Sequence, residues 1–358
     1  MILLVKGVFC MGNKTLAEVR ALAVDSKFQS VGLVTDLKEK RDKNDRPYWI
    51  VTVMDKSGGL EAKVWGNAQW FDVKDGVKKE IRDPASSDLV RNMKGETVGL
   101  IGAVTEFKGK PQYQFNQIWL VDQSKEEYRP AAFIRSSGTS LEEMEQEFRG
   151  MVDGCGGACG EFLRFVFRPD GELWQTFKTY PAAVAHHHAY VHGLLEHTLG
   201  VARSARAIAA SYAGTDYQPD PDIVTAGAIL HDLGKIDAYR LDPGPGMTLE
   251  GTVLDHIATG YARFVKLADE FGLDALTKTH LGHIILSHHG QREFGSPVLP
   301  ATPEAMIVAA ADNLDFYLNS WHGSVETLDG GMEAPRAISD FDYSLQRRLW
   351  KWRPEQPR

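Results

Sequence analysis

Cysteine is scarce: Cys10, Cys155 and Cys159 are the only three in 358 residues. An odd and small number excludes a disulfide framework and points to a reducing, cytoplasmic setting. Cys155 and Cys159 lie in DGCGGACGE with no second cysteine or histidine pair nearby, so they read as small packing residues at a helix start. Long apolar runs are missing as well. The N-terminal stretch MILLVKGVFCMGNK meets Lys6 too early for a secretory signal, and no run approaches membrane-spanning length. That argues against a membrane partner. Basic excess is the third absence, since the net charge is −8. Residues 25–122 hold 16 basic against 15 acidic side chains, whereas residues 123–358 hold 21 against 32. Composition alone therefore gives no support for a polyanionic ligand.

What is present is an ordinary globular composition, 43% hydrophobic and 25% charged, in a chain longer than one core usually supports. Two domains are expected. FQSVGLVTDLKEK, RPYWIVTVMD and LEAKVW form a meander rich in β-branched and aromatic residues, broken at DKNDRP and DKSGG. A polar stretch from Asn67 to about Lys94 is expected to carry a helix, and TVGLIGAVTEFKG and KPQYQFNQIWLVD add two strands. Three strands, a helical insert and two strands is the order of a five-stranded OB-fold barrel. The expectation is a multidomain α+β protein. It has a loose extension over 1–24, the barrel over 25–122, a linker over 123–140 and an all-α domain over 141–358.

OB barrels hold single strands on aromatic platforms and basic loops. The candidates are Arg41, Lys43, Arg46 and Tyr48 around the first loop, Trp65 after the third strand, and Lys108 and Lys110 in the last turn. For any one aromatic, core packing is the commoner role, and lysines at loop tips are usually only solvated. Tyr113, Phe115 and Trp119 share one face by alternation. The two loops as a group are the better bet for single-stranded RNA or DNA.

The helical half is organised around residues 186–235. His197 sits among Leu194, Leu195, Leu199 and Val201, an apolar face at helical spacing. A second helix carries Val224, Ala228 and Ile229 and ends in His231 and Asp232. An imidazole beside a carboxylate suits a divalent cation with mixed nitrogen and oxygen preference. Lys235 lies four residues past His231, on the same face if the helix continues, where its charge would stabilise a phosphate oxygen. Gly234 lets the backbone pass close to a neighbour. His256, His288, His289 and Asp312 follow.

HHAYVHGLLEHT, GAILHDLGKI, SHHGQREFGSPVLPATPEA and ADNLD together resemble the HD-domain metal-dependent phosphohydrolases. They most resemble the YhaM-type 3′→5′ exoribonucleases, which join an OB fold to an HD domain. The resemblance covers about residues 25–350. It implies His197, His231, Asp232 and Asp312 as metal ligands, and Asp232 and Lys235 as catalytic. It further implies His256, His288 and His289 as holders of a second ion bridged by Asp232. One or two divalent ions are expected, manganese by preference, with iron, cobalt, nickel, zinc or magnesium as alternatives. Two other functions compete. One is a nucleotide or cyclic-dinucleotide phosphohydrolase, which has no evident need of an OB domain. The other is a single-strand-binding protein on a non-catalytic HD scaffold, which the intact ligand set argues against. His186, His187 and His188 have even odds of lying near the site. His192 and Asp255 depart from residues the family more often has there, and Asp315 reads as a supporting or surface carboxylate. In the tail DYSLQRRLWKWRPEQPR basic residues interleave with tryptophan and could touch RNA, but a helix docked on the domain or on a second subunit of a homo-oligomer is the more usual outcome.

Overall fold

A computed structural model describes residues 12–74, 77–183, 188–241, 246–326 and 337–351. The described chain forms two compact units, one ending at Arg135 and the other starting at Ser136.

In the first unit α1 (Leu16–Arg20) is followed by β1 (Lys27–Arg41), β2 (Pro47–Asp55), β3 (Gly58–Val64), β4 (Gln69–Lys74) and β5 (Val77–Glu80). A single helical turn, α2 (Asp88–Arg91), precedes β6 (Thr97–Phe107) and β7 (Lys110–Leu120). β1 pairs antiparallel with β2 and β6, β2 with β3, and β6 with β7. Parallel pairing of β3 with β7 at Ala62 and Tyr113 closes the barrel. This is the OB connectivity, with β6 and β7 as fourth and fifth strands, around a core that includes Phe28, Val51, Val53, Leu100 and Phe115.

Three details depart from the sequence reading. The insert after β3 is mainly the β4–β5 hairpin, because Gln69–Phe71 continues the sheet alongside β7, and only Asp88–Arg91 is helical. Residues 12–24 are no loose extension. Thr15 and Glu18 form a capping box that starts α1, and Leu16 and Val19 are buried in the barrel core. Finally, a bulge opposite Ile101 and Gly102 shifts the alternation of β7. Phe115 and Ile118 both point inward, while Trp119 is only half-buried.

The second unit comprises α3 (Leu141–Asp153), α4 (Gly157–Val166), α5 (Glu172–Phe177), α6 (Gly193–Ser211), α7 (Pro221–Leu230) and α8 (Lys235–Ala238). A short hairpin, β8 (Tyr239–Arg240) with β9 (Gly246–Met247), leads to α9 (Leu249–Phe271), α10 (Ala275–Ser287) and α11 (Pro303–Glu326). Ser140, Asp220, Thr248 and Asp274 cap α3, α7, α9 and α10 through their side chains. α7 is buried along most of its length, from Ile223 to Leu230, which makes it the central rod. Leu194, Leu195 and Leu199 of α6, Ile284 and Ile285 of α10, and Val308 and Ala311 of α11 belong to the same core. Among the described residues no helix is long and apolar enough to cross a membrane.

The tail is not a helix. β10 (Ala337–Asp342) and β11 (Arg347–Lys351) form an antiparallel ribbon. RRLWK alternates with period two, burying Leu349 against Val325 and Leu345 while Arg348 and Trp350 face outward. The remainder of the basic tryptophan-rich segment, with Trp352 and Arg353, lies outside the described residues, as do His186, His187 and Cys10.

Candidate metal centre

His197 occupies the second turn of α6, opposite the end of α7. That helix stops at Leu230, and His231 and Asp232 lie in the turn before α8. Lys235 therefore does not share a continuous helical face with His231. It reaches Asp232 instead, with Nζ 2.6 Å from Oδ2. Gly234 is required for the turn, since a Cβ there would sit 2.0 Å from the His256 carbonyl oxygen. That close approach brings α9 against the turn. His288 and His289 follow the last turn of α10, and Asp312 projects from the middle of α11.

These groups converge on Asp232. His197 Nε2 lies 3.0 Å from Asp232 Oδ2, 3.2 Å from Asp312 Oδ1 and 3.2 Å from His231 Nε2. The other carboxylate oxygen, Asp232 Oδ1, is 3.5 Å from His256 Nε2 and 3.6 Å from His288 Nε2. The His289 ring completes that side, its centroid 4.4 Å from that of His288 and 5.0 Å from that of His256. One carboxylate thus faces two clusters, His197–His231–Asp312 on one oxygen and His256–His288–His289 on the other.

All five of the histidines whose second nitrogen turns away from the centre set it against an oxygen. His197 Nδ1 donates to Asp315 at 2.7 Å, and His256 Nδ1 lies 2.6 Å from Asp255 Oδ1. His231, His288 and His289 donate from Nδ1 to the carbonyls of Ala228, Ile285 and Phe294 at 2.7, 2.8 and 2.6 Å. A carbonyl only accepts, so Nδ1 carries the proton and Nε2 keeps its lone pair, the arrangement in which imidazole binds metal.

Electrostatics favour a cation. Burial works against ionisation of Asp232, yet Lys235 and His231 hold its carboxyl well below the usual range. Asp312 is depressed in the same way, burial being outweighed by His197 and His231. Burial would discharge His197, but Asp232, Asp312 and Asp315 raise it well above the ordinary imidazole value. His288 and His289 are pushed the other way, chiefly by burial, and stay neutral. Asp232 Oδ1, His256 Nε2 and His288 Nε2 are buried without a hydrogen-bond partner, which such groups rarely tolerate. The residues fit a divalent metal: the unpartnered lone pairs point at one another, and the donor set is nitrogen and oxygen.

The profile of the HD domain matches residues 194–317, a span that contains every group from His197 to Asp312. The protein named 3′-5′ exoribonuclease YhaM of Listeria welshimeri is 32% identical over 277 residues, 77% of this chain and 80% of that protein. The chain belongs to the YhaM family. Its Bacillus subtilis relative of the same name is 29% identical over 297 residues, 83% of this chain and 87% of the other. A solved structure, the second OB-fold domain of replication protein A from Methanococcus maripaludis, is 14% identical with a TM-score of 0.21, covering 32% of this chain and 99% of that one.

Around the centre of this YhaM-family chain, the hydrogen-bonding carboxylates were the least visible in sequence. Asp315 accepts from His188 Nε2 at 3.0 Å as well as from His197. Gly200 makes room for it, since a Cβ there would lie 2.4 Å from Asp315 Oδ1. His188 is buried and also meets the Tyr190 hydroxyl at 2.8 Å, and Tyr190 donates to Glu196 at 2.7 Å. His192, in the left-handed region, uses Nδ1 on the Lys178 carbonyl. His280 bonds Thr302 and Glu304, and His283 accepts from Ala301 N, so neither reaches the centre.

In the barrel, Tyr48 and Trp65 pack ring to ring at 5.2 Å. Trp65 stays 38% exposed, whereas Trp49 is 2% exposed and belongs to the core. Lys63, overlooked in the sequence, sets its Nζ 5.5 Å from both the Trp65 and Phe107 rings. This joins the start of β2, the end of β3 and the β6–β7 turn into one face, beside the exposed Lys108 and Lys110. Arg41 is tied to Asp45 at 3.1 Å, while Lys43 and Arg46 are exposed. Trp119 lies elsewhere, covering Gly99 beneath Lys78 Nζ at 4.0 Å.

Proposed function

We propose that this protein is a metal-dependent 3′→5′ exoribonuclease that hydrolyses single-stranded RNA, the barrel holding the strand and the helical unit cutting it. The observation that supports it most is the two-sided Asp232. Its oxygens face two clusters of imidazole nitrogens whose tautomers are set for metal. In this reading His197, His231, Asp232 and Asp312 would hold one ion and His256, His288 and His289 a second, manganese being the first choice. A bound divalent ion supplies Lewis acidity there, polarising a phosphoryl oxygen and acidifying water.

Lys235 does the remaining electrostatic work. Burial alone would discharge it, but Asp232 outweighs burial and raises it, so it is an ammonium and not a base. As water oxygen adds to phosphorus and the P–O3′ bond breaks, Lys235 offsets charge growing on the non-bridging oxygens. The leaving 3′ oxygen takes up a proton and a mononucleotide departs. Tyr48, Trp65, Lys63 and Phe107, flanked by Arg41, Lys43, Arg46, Lys108 and Lys110, would grip the strand by stacking and phosphate contact.

The test is incubation with a 5′-labelled oligoribonucleotide and each of manganese, iron, cobalt, nickel, zinc and magnesium, with single-stranded DNA and cyclic dinucleotides as competing substrates. A ladder shortening from the 3′ end is expected. Asp232→Ala should abolish it while RNA retention persists. Survival of hydrolysis in that variant would sink the site assignment, and preference for cyclic dinucleotides would sink the substrate assignment.

A further inference from the structure

Asp255 interrupts α9 with φ +68° and ψ 157°, the non-helical position within that helix. This combination is close to glycine-only territory, because a Cβ there crowds the backbone. The interruption has a consequence for the next residue. On an unbroken helix adjacent side chains diverge and cannot meet. Here the turned backbone brings the Asp255 carboxylate onto the ring of His256, Oδ1 lying 2.6 Å from Nδ1. The carboxylate is 61% exposed while the imidazole is 10% exposed, so this contact reaches from the surface to the inner side of the centre. The opposite ring atom, Nε2, is buried, has no hydrogen-bond partner and lies 3.5 Å from Asp232 Oδ1. The His256 carbonyl is meanwhile clamped against Gly234, leaving the ring as the part whose aim must be set.

We infer that Asp255 is a positioning residue that fixes the tautomer and aim of His256 toward the second ion, at the cost of a strained backbone. The inference rests on the two-ion reading above. A simpler role competes with it: Asp255 Oδ1 also accepts from Ile257 N at 3.2 Å and so caps the helix beyond the kink.

The two roles separate in metal-stripped full-length protein titrated with manganese and followed by electron paramagnetic resonance, with melting of the metal-free protein measured in parallel. Asp255→Gly removes the carboxylate yet adopts the required φ freely, and glycine in place of a cap costs little. The expected result is an unchanged or higher melting temperature together with second-ion binding weakened about 10–100-fold. Asp255→Asn keeps an acceptor for both the ring and the cap, and its binding should fall between the two. Wild-type affinity in Asp255→Gly, alongside loss of one ion in His288→Ala, would overturn the role of Asp255 while leaving the two-ion centre standing. Equal ion counts in wild type and His288→Ala would overturn the two-ion reading itself, and this inference with it.

Discussion

Removing the Asp315 carboxylate should weaken both the helical unit and its hold on metal. Asp315 Oδ2 accepts at 2.7 Å from His197 Nδ1 and at 3.0 Å from His188 Nε2, and its side chain is 18% exposed. Asp315→Ala takes the acceptor from two ring donors that are almost fully buried. Each such loss costs about 1–3 kcal/mol, and water entering from the exposed edge pulls the total toward about 2–3 kcal/mol. For a unit of this size that lowers the melting temperature of the metal-free protein by roughly 4–12 °C. The released His197 ring can rotate or take the other tautomer, and loss of such a ring anchor typically weakens metal binding about 10–100-fold. Asp315→Asn keeps the shape and one acceptor oxygen, so it should spare most of the stability and still lose affinity. Gly200→Ala is an independent check. Its Cβ would fall 2.4 Å from Asp315 Oδ1 and displace an intact carboxylate, so it should imitate the affinity loss. Thermal melting of stripped protein and manganese titration read the two effects. Wild-type manganese affinity in both Asp315→Ala and Gly200→Ala would refute the reasoning.

Trp65→Ala should weaken single-stranded RNA binding by the about 1–3 kcal/mol of one stacked base without lowering barrel stability, as fluorescence titration and circular dichroism would show. Trp49→Ala, in the core, should instead cost about 3–5 kcal/mol of stability in a denaturant titration. Chelation should lower the melting temperature of the loaded protein, since an ion at 100 times its dissociation constant adds about 2.7 kcal/mol to the folded state. In the tail ribbon, burial opposes ionisation of Asp342 but Ser324 and Ser344 hold it at about 2, below its ordinary 3.8. A depressed carboxyl contributes stability that is complete above pH 3.8 and lost as the pH falls toward 2. Hydrogen exchange over residues 337–351 should therefore quicken in that window, and Asp342→Asn should remove the dependence.

Periodicity and spacing alone revealed the parts of this protein that repeat locally. The five strands of the barrel show in their turn residues and alternation. The leucines flanking His197 and the buried run of α7 show in helical spacing. Resemblance then supplied the grouping of His197, His231, Asp232, Asp312, His256, His288 and His289 that the folded chain brings together. Other features depended on partners distant in sequence. The bulge in β7 sends Trp119 outward because its register is set by β6, and the tail forms a ribbon because Leu345 and Leu349 find Val325. Lys235 points at Asp232 because α7 ends at Leu230, where the turn must pass His256 with no Cβ in the way. Asp315 read as a supporting or surface carboxylate and Asp255 only as a departure from the family's residue, until α11 and the kink in α9 brought them to imidazole nitrogens. A local pattern records which face of an element is apolar. Which carboxylate meets His197 and His188 is settled only when α6 and α11, over a hundred residues apart, pack together.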